Sequence, residues 1–140
     1  MRPKLDLRVL EGEYATCGLE DSAFISAWAM GEGFVSISRS EGELTIVCYQ
    51  NRVPPEVRAE RGWRCIGLVG SFDFGLTGIL ASVLNPLAEA GVGIFAVSTF
   101  STDYLLVKVR DLDRAEAALK QAGHAVSGVA LGHLTPTPNI

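Results

Sequence analysis

The order of apolar runs over residues 63–132 constrains the fold of this chain more than any other feature. The run at 63–70 is β-rich and ends at a glycine, as a strand entering a loop does. From Leu76 to Leu87, apolar residues recur at spacings of three and four, which predicts one stripe of an amphipathic helix. Pro86 removes a backbone donor near the end of this helix, so we expect a bend or a weak last turn there.

A hairpin and a second helix follow along the chain. The β-rich runs at 93–100 and 104–110 lie three residues apart, which is hairpin spacing. Asp111 is then expected to cap a helix over residues 112–122, and a last strand falls within 125–131. Strand, helix, hairpin, helix, strand is the βαββαβ order of a ferredoxin-like unit, in which both helices cover one face of an antiparallel sheet. The predicted fold class is therefore α+β.

The first half of the chain repeats this plan at an offset of 60 residues. The offset aligns residues 5–10 with 65–70, and the hairpin at 34–49 with the one at 94–109. An internal duplication explains this pattern. The copy is imperfect, because residues 14–19 are typical of a strand where the second copy begins its helix.

Two tandem units follow from the repeat. We predict a degenerate N-terminal unit at residues 1–62, a C-terminal unit at 63–132 and a flexible tail at 133–140. Residues 51–61 contain two prolines, so they leave room for a short helix only. The exchange of one strand between the two halves stays open.

Charge and cysteine content argue against several classes of function. The formal net charge is −4, from 12 basic and 16 acidic residues, and the basic residues are scattered, so nucleic acid and anionic membranes are poor partners. The chain has neither an apolar signal segment nor a run of membrane-spanning length, and we expect a soluble cytoplasmic protein. Three cysteines without a CxxC pair favour free core thiols. His124 and His133 lack further ligands at metal spacing, and we assign neither a role.

No catalytic motif occurs in the sequence. G-x-S-x-G, H-E-x-x-H and the phosphate-binding G-x-x-x-x-G-K-[ST] are absent. A small phosphatase on a ferredoxin-like fold would need an arginine in the first strand-to-helix loop, and residues 71–75 carry none. We therefore predict no catalytic activity, no cofactor and no metal, with a small hydrolase as the less favoured interpretation.

The segment SFDFGLTGILASVLNPLAEAGVGIFAVSTFSTDYLLV, residues 71–107, resembles the ACT-domain family. It combines, in order, a glycine-flanked strand-to-helix loop, the helix end LAEAGV and the hairpin STFSTDY. More narrowly, it is similar to small bacterial tandem-ACT proteins related to the ACT units of the cytosolic arginine sensors of animals. The resemblance implies allosteric regulation by an amino acid held between paired ACT units. Because these 140 residues hold no catalytic or DNA-binding domain, we expect the output to pass through an unknown downstream protein or through sequestration of the ligand.

The chemistry of the loop and hairpin suits an amino acid. Backbone amides at the start of the helix favour a carboxylate, and a side-chain carboxylate from Asp73 or Asp103 can receive an ammonium or guanidinium group. The predicted ligand-binding residues are Asp73, Phe74, Gly75, Leu76, Thr77, Gly78, Ser98, Thr99, Thr102 and Asp103.

Structural roles compete with these assignments. Aspartate is common at turns for its own hydrogen bonds to the backbone, Thr77 can act as a helix cap alone, and the other hydroxyls suit strands and turns. Phenylalanines, Phe72 and Phe100 among them, are expected in a core or an interface. The alternative function is an interaction scaffold without ligand. In either case we expect a homodimer through sheet edges or helices. The sequence leaves the identity of the ligand open.

Overall fold

The computed structural model describes residues 3–72 and 77–128. The chain divides into two compact units: a larger unit of residues 1–11 with 64–140, and a smaller unit of residues 12–63. Within the described residues, the strands and α-helices in chain order are β1 (Asp6–Val9), β2 (Tyr14–Leu19), β3 (Ser36–Ser40), β4 (Glu43–Tyr49), β5 (Ala59–Leu68), α1 (Ile79–Glu89), β6 (Phe95–Ser98), β7 (Asp103–Lys108), α2 (Leu112–Gln121) and β8 (Ala125–Gly128). The predicted tail at 133–140 lies outside the described residues.

The larger unit contains the predicted βαββαβ order in β5, α1, β6, β7, α2 and β8. Its strands lie in the order β8-β1-β5-β7-β6, and β6 pairs antiparallel with β7. The core includes Val83 and Leu87 of α1 and Ala115 and Leu119 of α2, all fully buried against the strands. The α+β, ferredoxin-like class predicted from the sequence is confirmed.

The N-terminal strand β1 departs from the predicted division of the chain. The repeat assigned residues 5–10 to an N-terminal unit of residues 1–62, whereas β1 lies between β5 and β8 in the larger unit. It runs antiparallel to β5, with Leu7 opposite Leu68, and parallel to β8. The alternation of Leu5, Leu7 and Val9 gives β1 one apolar face, and this face is buried in the core of the larger unit. The predicted boundaries 1–62 and 63–132 are therefore corrected at the N-terminus: residues 1–11 belong to the larger unit, because the apolar face of β1 is buried in its core.

The smaller unit has the same strand order with its helices reduced. Its strands lie in the order β3-β4-β2-β5, and all of these pairs are antiparallel. Single 3-10 turns, Ala27–Ala29 and Gln50–Arg52, stand where a βαββαβ unit has helices. The counterpart of β5 is therefore β2, and the alignment of residues 5–10 with 65–70 was wrong. The offset of 60 does align the hairpin of β3 and β4 with that of β6 and β7.

The helices of the larger unit begin differently from the prediction. Helix α1 begins at Ile79, because Gly78 has a φ of 79° and a ψ of 0° and occupies the N-cap position. The predicted start at Leu76 lies outside the described residues, and Thr77 does not cap the helix. Asp111 does occupy the N-cap of α2 but makes no capping bond, because Arg114 donates to its carboxylate at 2.6 Å.

The three cysteines are buried thiols, as predicted from their number and spacing. Burial raises the pKa of Cys65 to about 12 and, together with the neighbouring Cys48 thiol, that of Cys17 to about 11. Burial also raises the pKa of Cys48. Because each folded-state pKa lies above that of an unfolded thiol, the thiols contribute their full stability below about pH 8.5 and lose it as pH rises through the folded-state values.

We expect Ellman's reagent at about pH 8 to react with the folded protein at least about a hundredfold more slowly than with the protein unfolded in guanidinium chloride. The reason is that both the thiolate fraction and the access of the reagent are low in the fold. Absorbance at the wavelength of the released thiolate measures the rate. A thiol that reacts as fast in the folded protein as in the unfolded chain would contradict the burial of that cysteine.

Candidate functional site

A groove of about 280 Å³ opens in the larger unit between the start of α1 and the turn of the β6–β7 hairpin. Its volume lies near the lower end of the roughly 300–1,000 Å³ of small-molecule sites, which suits a small metabolite better than a nucleotide cofactor. The residues that line it are Phe72, Gly78, Ile79, Leu80, Ala81, Ser98, Thr99, Phe100, Ser101, Thr102 and Asp103.

Five of the ten residues predicted to bind ligand meet in this groove: Gly78, Ser98, Thr99, Thr102 and Asp103. Thr77 is exposed and does not line it. The remaining four predicted residues, Asp73, Phe74, Gly75 and Leu76, lie outside the described residues. The structure thus brings the hairpin and the start of the helix together, as their place in a βαββαβ unit requires.

The start of α1 supplies backbone donors to the groove. The first hydrogen bond at the start of this helix runs from the Ser82 amide to the Gly78 carbonyl at 3.0 Å. The amides of Ile79, Leu80 and Ala81 precede that bond, so the helix offers them no carbonyl four residues back. No residue that the structure describes accepts a hydrogen bond from these three amides. Amides at a helix start and the positive end of the helix dipole favour an anion at this end of the groove.

The hairpin turn that forms the opposite wall is held by hydrogen bonds. Within the turn, the Thr99 amide donates to the Thr102 carbonyl at 2.8 Å, and the Thr102 amide donates to the Thr99 hydroxyl at 3.2 Å. The Thr102 hydroxyl donates to the Leu68 carbonyl on β5 at 2.9 Å. The Phe72 amide donates to the Ser101 carbonyl at 2.7 Å. The two threonine hydroxyls therefore already form hydrogen bonds within the protein, and the bond from Thr102 to Leu68 fixes the hairpin turn relative to β5.

Asp103 brings a negative charge to the groove. It lies opposite Ser98 in the pairing of β6 with β7, and its Oδ1 accepts a hydrogen bond from the Ser98 hydroxyl. The carboxylate is half-buried, and across residues 3–72 and 77–128 no cationic side chain is paired with it. A carboxylate with one such bond keeps further acceptor positions, and these can receive an ammonium group.

Two aromatic residues, Phe72 and Phe100, line the groove. Phe100 stands at the tip of the hairpin with 84% of its surface exposed, so it lies in neither of the unit cores. Phe72 is partly buried and packs against the core while also lining the groove. Of the two locations expected for Phe100, a core or an interface, the structure excludes the core, and an interface stays a prediction.

The described residues contain no group of three or more His, Cys, Asp and Glu side chains placed to hold a metal ion.

Among the helices that the structure describes, none is both long enough and apolar enough to cross a bilayer.

Comparison with known proteins places these features in a family. A family model described as ACT domain matches residues 58–121, and a second model, of an N-terminal domain, matches residues 12–56. The crystal structure of Atu0741 from Agobacterium tumefaciens is 44% identical in sequence, covers 95% of this chain and 99% of its own, and superimposes with a TM-score of 0.88. Residues 58–121 belong to the ACT-domain family.

Two further proteins are similar to this ACT-domain protein. Human CASTOR3P is 39% identical over an alignment of 61 residues that covers 39% of this chain and 37% of that protein, so the match spans about a third of the relative. The ligand-free regulatory subunit of aspartate kinase from Thermus thermophilus is 14% identical with a TM-score of 0.53, over 84% of this chain and 93% of its own. That likeness shows a shared fold. The match to the ACT-domain model supports a regulatory ligand-binding module.

Proposed function

We propose that this ACT-domain protein binds a free α-amino acid in the groove of its larger unit and acts by regulation, without catalysing a reaction. The observation that carries the proposal is one groove of metabolite size with the backbone amides of a helix start on one side and the Asp103 carboxylate on the other. An α-amino acid presents a carboxylate and an ammonium group a few ångströms apart. The two walls offer the partner that each of these groups requires.

The orientation of the ligand follows from the charges of the groove. The α-carboxylate would accept hydrogen bonds from the amides of Ile79, Leu80 and Ala81, and the ammonium group would donate to Asp103. The ligand side chain would then point towards the open side of the groove, where Phe100 offers an exposed aromatic face. Ligand preference among the amino acids would depend on what that face and its surroundings accept.

The regulatory output would be a change in what the loop and hairpin present to a downstream protein. A ligand stabilises whichever arrangement of the groove binds it more tightly, and a partner that recognises this arrangement responds to the ligand concentration. Among the groove residues that the structure describes, Asp103 is the one acidic or basic side chain, and no histidine or cysteine accompanies it. A site of this composition supports binding better than acid–base or nucleophilic chemistry.

A thermal-shift screen of the twenty amino acids tests the proposal. A ligand present at about a hundred times its Kd adds about 2.7 kcal/mol to the stability of the native state, so we expect one or a few amino acids to raise Tm by several degrees. Asp103→Asn should weaken binding of the best ligand by about tenfold or more, because it removes the charge that pairs with the ammonium group.

The matched control is Asp113→Asn, which makes the same chemical change at an exposed position of α2. It should leave the ligand response as in the wild type. If no amino acid raises Tm, or if Asp103→Asn responds as fully as Asp113→Asn, the proposed site is wrong, and a scaffold without ligand becomes the better account.

A homodimer is proposed as the working assembly, because β6 forms an edge of the sheet in the larger unit. It pairs with β7 on one side, and its sequence FAVS carries no charge or proline to protect the other side. Sedimentation equilibrium of the wild type should give a dimer, and Ala96→Lys, at an exposed position of this strand, should give a monomer of unchanged Tm. A wild-type monomer at every concentration would contradict pairing at this edge.

A further inference from the structure

A second groove lies in the smaller unit and belongs to none of the features above. Its volume is about 550 Å³, and it lies between the end of β2, the turn from β3 to β4, and the segment that leads into β5. Its lining residues include two carboxylates, Glu20 and Glu56, and one guanidinium, that of Arg58. We propose that this groove is a second binding site, for a small metabolite with two ammonium groups and one carboxylate.

Hydrogen bonds hold the walls of this groove in place. Asp21 accepts from the Gly42 amide at 2.8 Å, which fastens the loop after β2 to the β3–β4 turn. Arg39 donates to the backbone carbonyls of Asp21 and Ala23, the second at 3.1 Å. The Gly18 amide donates to the Arg58 carbonyl at 3.0 Å, which joins the third wall to β2. A groove whose walls are fixed before the ligand arrives spends less binding energy on ordering them.

The charged side chains of the groove, Glu20, Glu56 and Arg58, are exposed, and no ion pair among residues 3–72 and 77–128 includes them. Arg58 forms no ion pair or side-chain hydrogen bond with Glu20, Glu56 or any other described residue. Opposite charges that share a groove and remain apart leave each group free for a ligand. The Arg58 guanidinium lies over Gly18, where a Cβ atom would come within 3.1 Å of its Nη2 and would displace it by a few tenths of an ångström.

The class of ligand follows from the complement of these groups. Arg58 can hold one carboxylate through two parallel hydrogen bonds, and each of the two glutamates can accept from one ammonium group. The groove is also lined by the apolar side chains of Leu19, Ala23 and Val57, which suit a short methylene chain. A diamino monocarboxylic acid of the size of ornithine or lysine has this pattern of charge. The groove of the larger unit differs in how it would bind a carboxylate, because there the backbone amides of a helix start take the place of an arginine side chain.

Calorimetric titration of the full-length Asp103→Asn protein with L-lysine and with L-ornithine tests the second site apart from the first. We expect one ligand bound per chain. Norleucine, which lacks the side-chain ammonium group, and cadaverine, which lacks the carboxylate, should each bind at least about tenfold more weakly. Adding Arg58→Gln or Glu56→Gln to this protein should weaken lysine binding about tenfold or more, while Arg110→Gln, a change at an exposed arginine of the larger unit, should not.

Two results would overturn the second site. One is the absence of lysine and ornithine binding to an Asp103→Asn protein whose Tm equals that of the wild type. The other is lysine binding that is as tight in Glu56→Gln as without this substitution. Because Glu56 is exposed, this variant is expected to fold, and it tests the site even if Arg58→Gln does not fold. Neither result depends on the groove of the larger unit, because the amino-acid screen on wild-type protein and on Asp103→Asn decides that proposal separately.

Discussion

His124→Ala should lower the free energy of unfolding by about 3–5 kcal/mol, because it leaves two backbone groups unsatisfied in the core of the larger unit and opens a cavity there. The imidazole is 4% exposed and lies between α2 and β8. Its Nδ1 accepts from the Leu5 amide at 3.1 Å, and its Nε2 lies 2.8 Å from the Ser82 carbonyl. An Nδ1 that accepts from an amide carries no proton, so the ring is neutral and Nε2 is the donor. One side chain thus joins the start of β1 to α1.

Chemical denaturation of His124→Ala, His124→Asn and His124→Gln would separate the two hydrogen bonds. Asparagine can place an acceptor near the position of Nδ1, and glutamine a donor near that of Nε2. We expect each to recover part of the loss and neither to recover all of it. An alanine variant within about 1 kcal/mol of the wild type would mean that water or a neighbouring group replaces the imidazole, and the proposed role would then fail.

Gly33→Ala should destabilise the smaller unit by about 2–4 kcal/mol, the second-largest effect that we expect. Gly33 has a φ of 84°, which costs a residue with a Cβ atom about 1–2 kcal/mol. That atom would lie 2.5 Å from Cε2 of Tyr49 and 3.0 Å from the hydroxyl of Tyr14. The Tyr14 hydroxyl accepts from the Phe34 amide at 3.1 Å, and the two tyrosine rings pack with their centroids 4.7 Å apart. A methyl group would therefore displace a ring pair in which Tyr14 is fully buried and Tyr49 half-buried.

Gly62→Ala is the matched control for this variant. Gly62 has almost the same φ, 83°, but a Cβ atom there would meet nothing within 4 Å. Its cost should be that of the backbone conformation alone, about 1–2 kcal/mol. The difference between the two variants in urea denaturation then measures the collision with the tyrosines. If both variants lose the same free energy of unfolding, the tyrosine rings move aside without a measurable loss of stability.

Local periodicity is what made the larger unit predictable. The spacing of apolar residues in α1 and α2 and the two β-rich runs of the hairpin are properties of neighbouring residues, and tertiary packing preserved them. The position of β1 was not predictable in this way. Its alternating face suits a core strand in either half, and only long-range pairing with β5 and β8 decides between them.

The candidate site was predictable in part for a related reason. A βαββαβ order brings the first strand-to-helix loop and the hairpin turn to one end of the unit, so Gly78, Ser98 and Asp103 could be placed together from the sequence. The direction of individual side chains could not be predicted from the sequence. Phe100 was expected in a core or an interface and is exposed at the hairpin tip, and Thr77, predicted to bind ligand or cap the helix, does neither in the described structure. The roles of Glu56 and Arg58 depend on a fold in which β5 returns beside β2, which the repeat had misaligned.

The same two structural features recur in both grooves. In each unit, the loop after the first strand of the βαββαβ order and the turn of the following hairpin contribute lining residues. What differs is the source of positive charge: a helix start in the larger unit, and the Arg58 side chain in the smaller one, where the helix is reduced to a single 3-10 turn. Loss of a helix need not remove a site when a side chain supplies the charge.

Amide chemical shifts in a ¹⁵N-labelled sample, titrated with the best amino acid from the screen, test the central claim most directly. A carboxylate bound at the start of α1 should move the amide resonances of Ile79, Leu80 and Ala81 more than any others outside the hairpin, with Ser98 and Asp103 moving at the same ligand concentration. Saturating ligand that leaves those three amides unmoved, while resonances elsewhere in the chain shift, would contradict the account.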